Sequence, residues 1–216
     1  MIEVIFYSTA YLILFAISEY LYHVLKLNVE VTRKVVHVST GLIALTFPIY
    51  LHNFWQVLVL CLLFLGLLAI AEKFKWLKSI TAVERRSYGS WLFALIVLVC
   101  FYAQLELSNS SLYYLPLFIL TICDPIAAAA GKRLNLVPIK ILGSVKSIGG
   151  SLAFFISCFL VLVVYNSIAS ISWPLGYTAL MSLSIALLEL VSIRGWDNLT
   201  IPLGAMGFVY MAGSLF

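Results

Sequence analysis

Hydrophobic positions in this chain do not alternate with polar ones. They run on almost without a break, and the polar residues fall in short clusters between the runs. A helix crosses the hydrocarbon core of a bilayer with roughly 20 apolar residues, about 17–25 being tolerated. By that measure the runs Val4–Leu25, Val35–Leu51, Phe54–Ala71, Ser90–Leu107, Leu112–Ala130, Ile148–Ile168, Trp173–Ile193 and Leu199–Phe216 predict eight transmembrane helices. A membrane β-barrel would instead show alternating segments of about ten residues. The expected fold class is all-α, a polytopic integral membrane helical bundle. The segments between the runs are too short for a soluble domain, so residues 1–216 read as one membrane-embedded domain. Everything outside the spans is expected in a loop or a helix end. The start Met1-Ile2-Glu3 lacks the basic region of a signal peptide, so the first run reads as a retained span.

Composition agrees with the pattern. Hydrophobic residues make up 63% of the chain and charged ones 10%, against about 45–50% and about 25% in soluble domains. So few charges cannot cover a water-soluble surface, and most of the outside must face lipid. The cysteines Cys61, Cys100, Cys123 and Cys158 are isolated within apolar runs and have no metal-ligand spacing. They read as small hydrophobes.

Charge adds orientation. The 13 Lys and Arg residues fall after the first, third, fifth and seventh runs, as Lys26 to Lys34, Lys73 to Arg86, Lys132 to Lys146, and Arg194. The alternate loops and both ends carry none. Cytoplasmic loops are enriched in Lys and Arg, so both termini are expected outside the cytoplasm. The net charge of +4 is then chiefly a topology signal. No basic face is large enough for a nucleic acid, although an anionic substrate or lipid would be attracted.

Polar residues inside apolar runs are costly and usually functional. Glu19 and His23 lie in the inner half of the first span, four apart on one face, and either pair with each other or serve catalysis. His37 is expected in the first turn of the second span. Asp124 lies about one and a half turns inside the fifth, followed by Pro125, which loosens the helix, and by Ala127–Ala130, which allow close helix approach. Glu189 lies near the end of the seventh span, as part of the site or as a partner for Arg194 or Lys146. These groups come from four helices at one depth, beneath the basic loops. A transporter more often places such groups at the midplane, on interrupted repeats. The pattern points to a site open to the cytoplasm and the inner leaflet.

The loop after the fifth span carries Gly131-Lys132-Arg133 and then Gly143-Ser-Val-Lys146-Ser147-Ile-Gly-Gly150-Ser151, where the sixth span begins. Glycines that let the backbone approach, a lysine, hydroxyls and a helix N-terminus together suit a phosphate. The Walker A spacing is absent.

Taken in order, these segments resemble the family of CTP-dependent membrane lipid kinases that includes dolichol kinase, phytol kinase and yeast-type diacylglycerol kinase. The resemblance rests on Arg33-Lys34-x-x-His37-x-x-x-Gly41, on Arg86-x-Tyr88-Gly89, and on Asp124-x-x-Ala127-x-x-x-Gly131-Lys132-Arg133. It continues through Lys146-Ser147-x-x-Gly150-Ser151 to Glu189-x-x-x-x-x-Gly195-x-Asp197-Asn198-Leu199-x-x-Pro202. The family often has glycine at the position of Asn135. Gly149, where other branches carry an acidic residue, is similar to the phytol kinase branch.

The resemblance implies transfer of the γ-phosphate of CTP, with Mg²⁺, to the hydroxyl of a membrane lipid alcohol of the phytol, polyprenol or diacylglycerol type. The site would face the cytoplasm, in a bacterial inner membrane. Asp124, with His37 and Glu189, would act at the reacting hydroxyl. Asp124 either orients that hydroxyl or holds Mg²⁺, and Asp197 would share the metal. Arg33, Lys34, Gly131, Lys132, Arg133, Lys146, Ser147, Gly150, Ser151 and Asn198 would hold the nucleotide and its phosphates. A cytidylyltransferase that makes a CDP-lipid from a phosphatidate is the alternative enzyme, and a small transporter the alternative of another class.

Overall fold

The structure of the protein, a computed structural model, describes residues 1–81, 87–134, 137–141 and 144–215. Arg86, Asn135 and Gly143, named above, and Arg85 of the basic stretch lie outside the described residues. The chain runs through helices α1 (Ile2–His23), α2 (Val29–Leu45), α3 (Phe47–Tyr50), α4 (Phe54–Phe74), α5 (Lys78–Thr81), α6 (Gly89–Glu106) and α7 (Ser111–Phe118). A π-helical turn, Ile119–Cys123, joins α7 to α8 (Asp124–Leu134). Strands β1 (Pro138–Ile141) and β2 (Ser144–Ser147) precede α9 (Ile148–Ile168), α10 (Leu175–Val191) and α11 (Asp197–Leu215).

Each apolar run of the sequence falls on a long helical segment. Among the described residues five segments are long and apolar enough to cross a membrane: α1, α4, α6, the continuous stretch Ser111–Leu134, and α9. Helix α10 is apolar but shorter. The protein is thus a helical membrane protein, and large side chains such as Phe6, Leu62, Leu63, Leu160 and Val164 stand exposed on its outside, where lipid replaces water.

Two expectations are corrected. The segment between the fifth and sixth runs is a β-hairpin and not a plain loop: β1 and β2 pair antiparallel, with Pro138 opposite Ser147 and Ile139 opposite Lys146. Helix α2 also begins six residues before the apolar run it carries. Asn28 caps it by accepting from the Glu30 backbone N–H at 2.8 Å, a role for which Asn is favoured. Arg33 and Lys34 therefore stand on a helix, and His37 lies two turns inside it.

Two hydrophobic clusters hold the bundle together. The larger is built around α6, α7 and α9 to α11, with Phe101, Tyr113, Phe154, Leu162 and Met181 fully buried. The smaller joins Phe15 of α1, Val36 of α2 and Ile80 of α5, with Phe64 packed against it. Ser79 fixes α5 in place through all three of its polar groups. Its N–H donates to Glu19 Oε1 at 2.8 Å, its carbonyl accepts from Thr32 Oγ1 at 2.7 Å, and its hydroxyl meets Ser18 Oγ at 2.9 Å.

Close backbone contacts set the helix crossings near the hairpin. A Cβ on Gly41 would stand 2.2 Å from Thr121 Oγ1, so only glycine lets α2 cross the π turn. Gly195 has φ +88°, and a Cβ there would lie 2.4 Å from the Gly89 nitrogen. The turn before α11 is thereby pressed onto the start of α6, where the Tyr88 N–H donates to the Arg194 carbonyl at 2.9 Å.

Candidate functional site

The π turn is where the site begins. In a π turn the carbonyl of Leu120 is aimed at the N–H five residues on, but residue 125 is proline and has none. His37 Nε2 sits 3.3 Å from that carbonyl. A carbonyl only accepts, so Nε2 carries the proton, and Nδ1 is the free nitrogen of the neutral ring. The helix defect thus puts Asp124 at the start of α8 and fixes the His37 ring across from it on α2.

Asp124 and His37 line a cavity of about 600 Å³ at the hairpin end of the bundle. Arg33, Lys34, Gly131, Lys132, Lys146, Ser147, Gly150, Ser151, Glu189, Asp197 and Asn198 line it too. These residues come from α2, α8, β2, α9, α10 and α11, so the fold gathers nearly the whole set singled out in the sequence. Arg133 is the exception. It is exposed and does not line the cavity, because one residue further along α8 turns a side chain about 100° round the axis. Glu19 and His23 also lie elsewhere: Glu19 Oε2 is 3.1 Å from His23 Nε2, and its other oxygen holds Ser79.

The cavity's charges are mixed. Asp124 interacts electrostatically with Asp197, Glu189, Lys146 and Lys34. Lys146 Nζ is paired with the Glu189 carboxylate, and it also donates to the Glu189 backbone carbonyl at 2.9 Å. Glu189 is thus engaged structurally, tying β2 to the end of α10. Arg33 Nη1 is 3.8 Å from Glu30 Oε1, and Arg33 Nη2 donates to Ser87 Oγ at 3.5 Å. Lys34 makes no ion pair among the described residues, which leaves it available to a ligand's negative charge.

The start of α9 differs from a bare phosphate cradle. Ser147 Oγ caps the helix by accepting from the Gly150 N–H at 3.1 Å, and the Ile148 N–H donates to the Val137 carbonyl at 3.3 Å. Two of the first-turn donors are already used. The missing side chain of Gly150 has a packing reason: a Cβ there would meet the Ala127 carbonyl oxygen at 3.0 Å and Gly131 Cα at 3.4 Å. Gly131 and Gly150 let α8 and α9 touch backbone to backbone. Ser151 Oγ, by contrast, is buried with no hydrogen-bond partner among the described residues. Such an orphaned polar atom in a cavity wall is a point where a ligand would bond.

Among the described residues no three His, Cys, Asp or Glu side chains cluster closely enough to hold a metal on their own. The donors present do fit Mg²⁺, which is usually bound through one or two carboxylates, with phosphates and waters supplying the rest. Asp124 and Asp197 both line the cavity, so carboxylates of that kind are present.

The chain is similar to a phytol kinase of Synechocystis sp. It is 28% identical to that protein over 192 residues, 86% of this chain and 80% of the other. That similarity supports a lipid kinase family. No family model and no solved structure matches the chain.

Sequence reading missed several polar residues of the cavity wall, Glu30, Thr40, Ser87, Ser90 and Ser192 among them. Glu30 lines the wall beside Arg33, and its signal was the i, i+3 spacing of opposite charges on a helix. Thr121, whose hydroxyl is buried without a hydrogen-bond partner among the described residues, lies behind the wall one turn before Asp124 in the π turn, and nothing in its spacing distinguishes it from an ordinary helix-interior threonine.

Proposed function

We propose that the protein transfers the terminal phosphate of a nucleoside triphosphate to the hydroxyl of a membrane lipid alcohol of the phytol type. The observation that carries this reading is one cavity. It brings a carboxylate on a broken helix together with a proton-fixed histidine and the cations Lys34, Lys132, Lys146 and Arg33. The similarity to phytol kinase supports the lipid alcohol, and CTP as donor rests on the family resemblance alone.

Phosphoryl transfer asks a protein chiefly for positioning and charge neutralisation. Lys34, which makes no ion pair among the described residues, and Lys132 would meet the transferred phosphate, while Lys146 stays anchored by Glu189 beside it. Ser151 Oγ would donate to a phosphate oxygen. Asp124 and Asp197 would hold Mg²⁺, which when bound neutralises the phosphate charge. Asp124 or the free His37 Nδ1 would accept the proton of the attacking hydroxyl. The distribution of Lys and Arg supports a cytoplasmic position for this end of the bundle, in eight crossings with both termini on the other side.

The test is direct. Purified protein is incubated with γ-labelled CTP or ATP and with phytol, a polyprenol or diacylglycerol. Label on the alcohol together with CDP or ADP is the expected result. Release of pyrophosphate and formation of a CDP-lipid would make the protein a cytidylyltransferase. Nucleotide-independent solute flux in liposomes without phosphorylation would make it a transporter.

A further inference from the structure

Away from Lys146 and Asp124 the cavity changes character. Its wall there is Phe15 of α1, Val36 of α2, Phe64 and Leu68 of α4, Ile80 of α5 and Phe93 of α6. This side occupies the seam between the two hydrophobic clusters. Beyond it, Thr40, Phe64 and Phe93 also border a second, smaller void of about 20 Å³ that runs on to Tyr11, Phe47 and Val97. The apolar arm passes Val36 and Thr40 of α2, about 6 Å of helical rise apart, and reaches Phe47 of α3. Aromatic rings mark its course: Phe15 and Phe64 lie 5.8 Å apart, Tyr11 and Phe64 5.8 Å, and Tyr11 and Phe47 6.5 Å. At its mouth the Phe93 ring stands 6.0 Å from His37.

The chemistry of this wall selects its occupant. A nucleobase buried here would need partners for its polar edge, whereas this wall is mostly aliphatic and aromatic and its Thr40 Oγ1 already donates to the Val36 carbonyl. A hydrocarbon needs none. We propose that the arm enclosed by α1, α2, α4 and α6 is the hydrocarbon subsite of the lipid alcohol. The hydroxyl end lies against His37 and Asp124, and the first carbons of the tail pass between Phe64 and Phe93. The inference rests on the lipid-alcohol reading and adds where the tail lies and what limits it. The small void has room for about one water and no more. A branched chain therefore advances past Phe64 and Phe93 only when those rings yield, and the two rings set how much tail is held.

The experiment uses the full-length protein in detergent without nucleotide, so it reads tail position independently of phosphate transfer. The probe is an isoprenoid alcohol carrying a diazirine on its second isoprene unit. Labelling is expected on Tyr11–Phe15 of α1 and Phe64–Leu68 of α4, suppressed by excess unlabelled alcohol and not by the matching hydrocarbon without a hydroxyl. Leu68→Trp should reduce that labelling at least fivefold. Phe64→Ala should extend it towards Phe47. Labelling confined to outward residues such as Leu62 and Leu63, or unchanged by Leu68→Trp in a protein of normal melting temperature, would overturn the subsite. Failure of the kinase reading would show separately, as specific labelling of the arm with no phosphorylated alcohol when nucleotide is added.

Discussion

Asp124 follows five residues of π helix and precedes a proline, so it stands where the backbone is least regular in this bundle. Its electrostatic neighbours include both carboxylates and lysines. A carboxylate so placed serves chemistry or serves folding, and Asp124→Asn separates the two because it keeps the volume and removes the charge. The catalytic role predicts a protein of normal or higher melting temperature with turnover reduced at least about a hundredfold, the scale of removing one transition-state electrostatic contact. Near-normal turnover in a well-folded variant would remove Asp124 from the proposed site. The Lys146–Glu189 pair makes a contrasting case. Both side chains are largely buried, 20% and 7% exposed, so removing one partner strands the other's charge. Lys146→Ala should therefore cost about 3 kcal/mol of stability, and adding Glu189→Gln should return part of it. A double variant no more stable than Lys146→Ala, by thermal melting in detergent, would mean that the pair is not coupled.

At the scale of elements, the hairpin end of the bundle is assembled by missing side chains. Gly150→Val would push a branched side chain against the Ala127 carbonyl and Gly131. The expected loss is about 1–3 kcal/mol, as for overpacking elsewhere, seen as a lowered melting temperature even without nucleotide. A variant of unchanged stability that loses only nucleotide affinity would restore the phosphate-approach role suggested by the sequence. Gly41→Ala at the α2 crossing should also destabilise, and Thr121→Ala should relieve part of that loss, since it removes the two nearest of the three clashing atoms. These examples show what the sequence could convey. Helices were legible because a long apolar run is a coarse property that survives errors of several residues. Lys34, His37, Asp124, Lys146 and Asp197 were legible as site candidates because each is polar beside or within such a run. The start of α2 was misplaced because Arg33 and Lys34 were counted as loop charges, although Asn28 followed by Glu30 was a capping signal. The hairpin escaped because two four-residue strands are too short to show a period, and the π turn because its only sequence mark is Pro125. The resemblance implies a phosphate role for both Lys132 and Arg133, but a motif of adjacent residues carries no helix phase, and only Lys132 lines the cavity.

At the scale of the whole molecule, the number of membrane crossings decides which face bears the cavity. Five helices satisfy length and apolarity, and an odd count would put the two ends of the chain on opposite sides. The basic residues call for eight crossings, adding α2, α10 and α11, with both ends on the side opposite the hairpin. Helices α2, which is also one turn shorter than most of the others at 17 residues, and α11 fall short on composition for a physical reason. Their hairpin-end turns carry Glu30, Arg33 and Lys34, and Asp197 and Asn198, which line the cavity and are thus shielded from lipid by the neighbouring helices. All four native cysteines are buried, so a membrane-impermeant thiol reagent should meet little background. Single cysteines replacing the exposed residues Ser214, Lys26 and Lys75 and the partly exposed Glu3 then report the topology in intact cells. Eight crossings predict that Glu3→Cys and Ser214→Cys label from outside, and that Lys26→Cys and Lys75→Cys label only after the membrane is opened. Opposite behaviour of Glu3→Cys and Ser214→Cys would require an odd number of crossings, and would leave at least one cavity-lining helix lying along the membrane surface and not through it. Labelling of Lys26→Cys in intact cells would turn the whole bundle over and put the cavity out of reach of cytoplasmic nucleotide, which the proposed phosphate transfer requires.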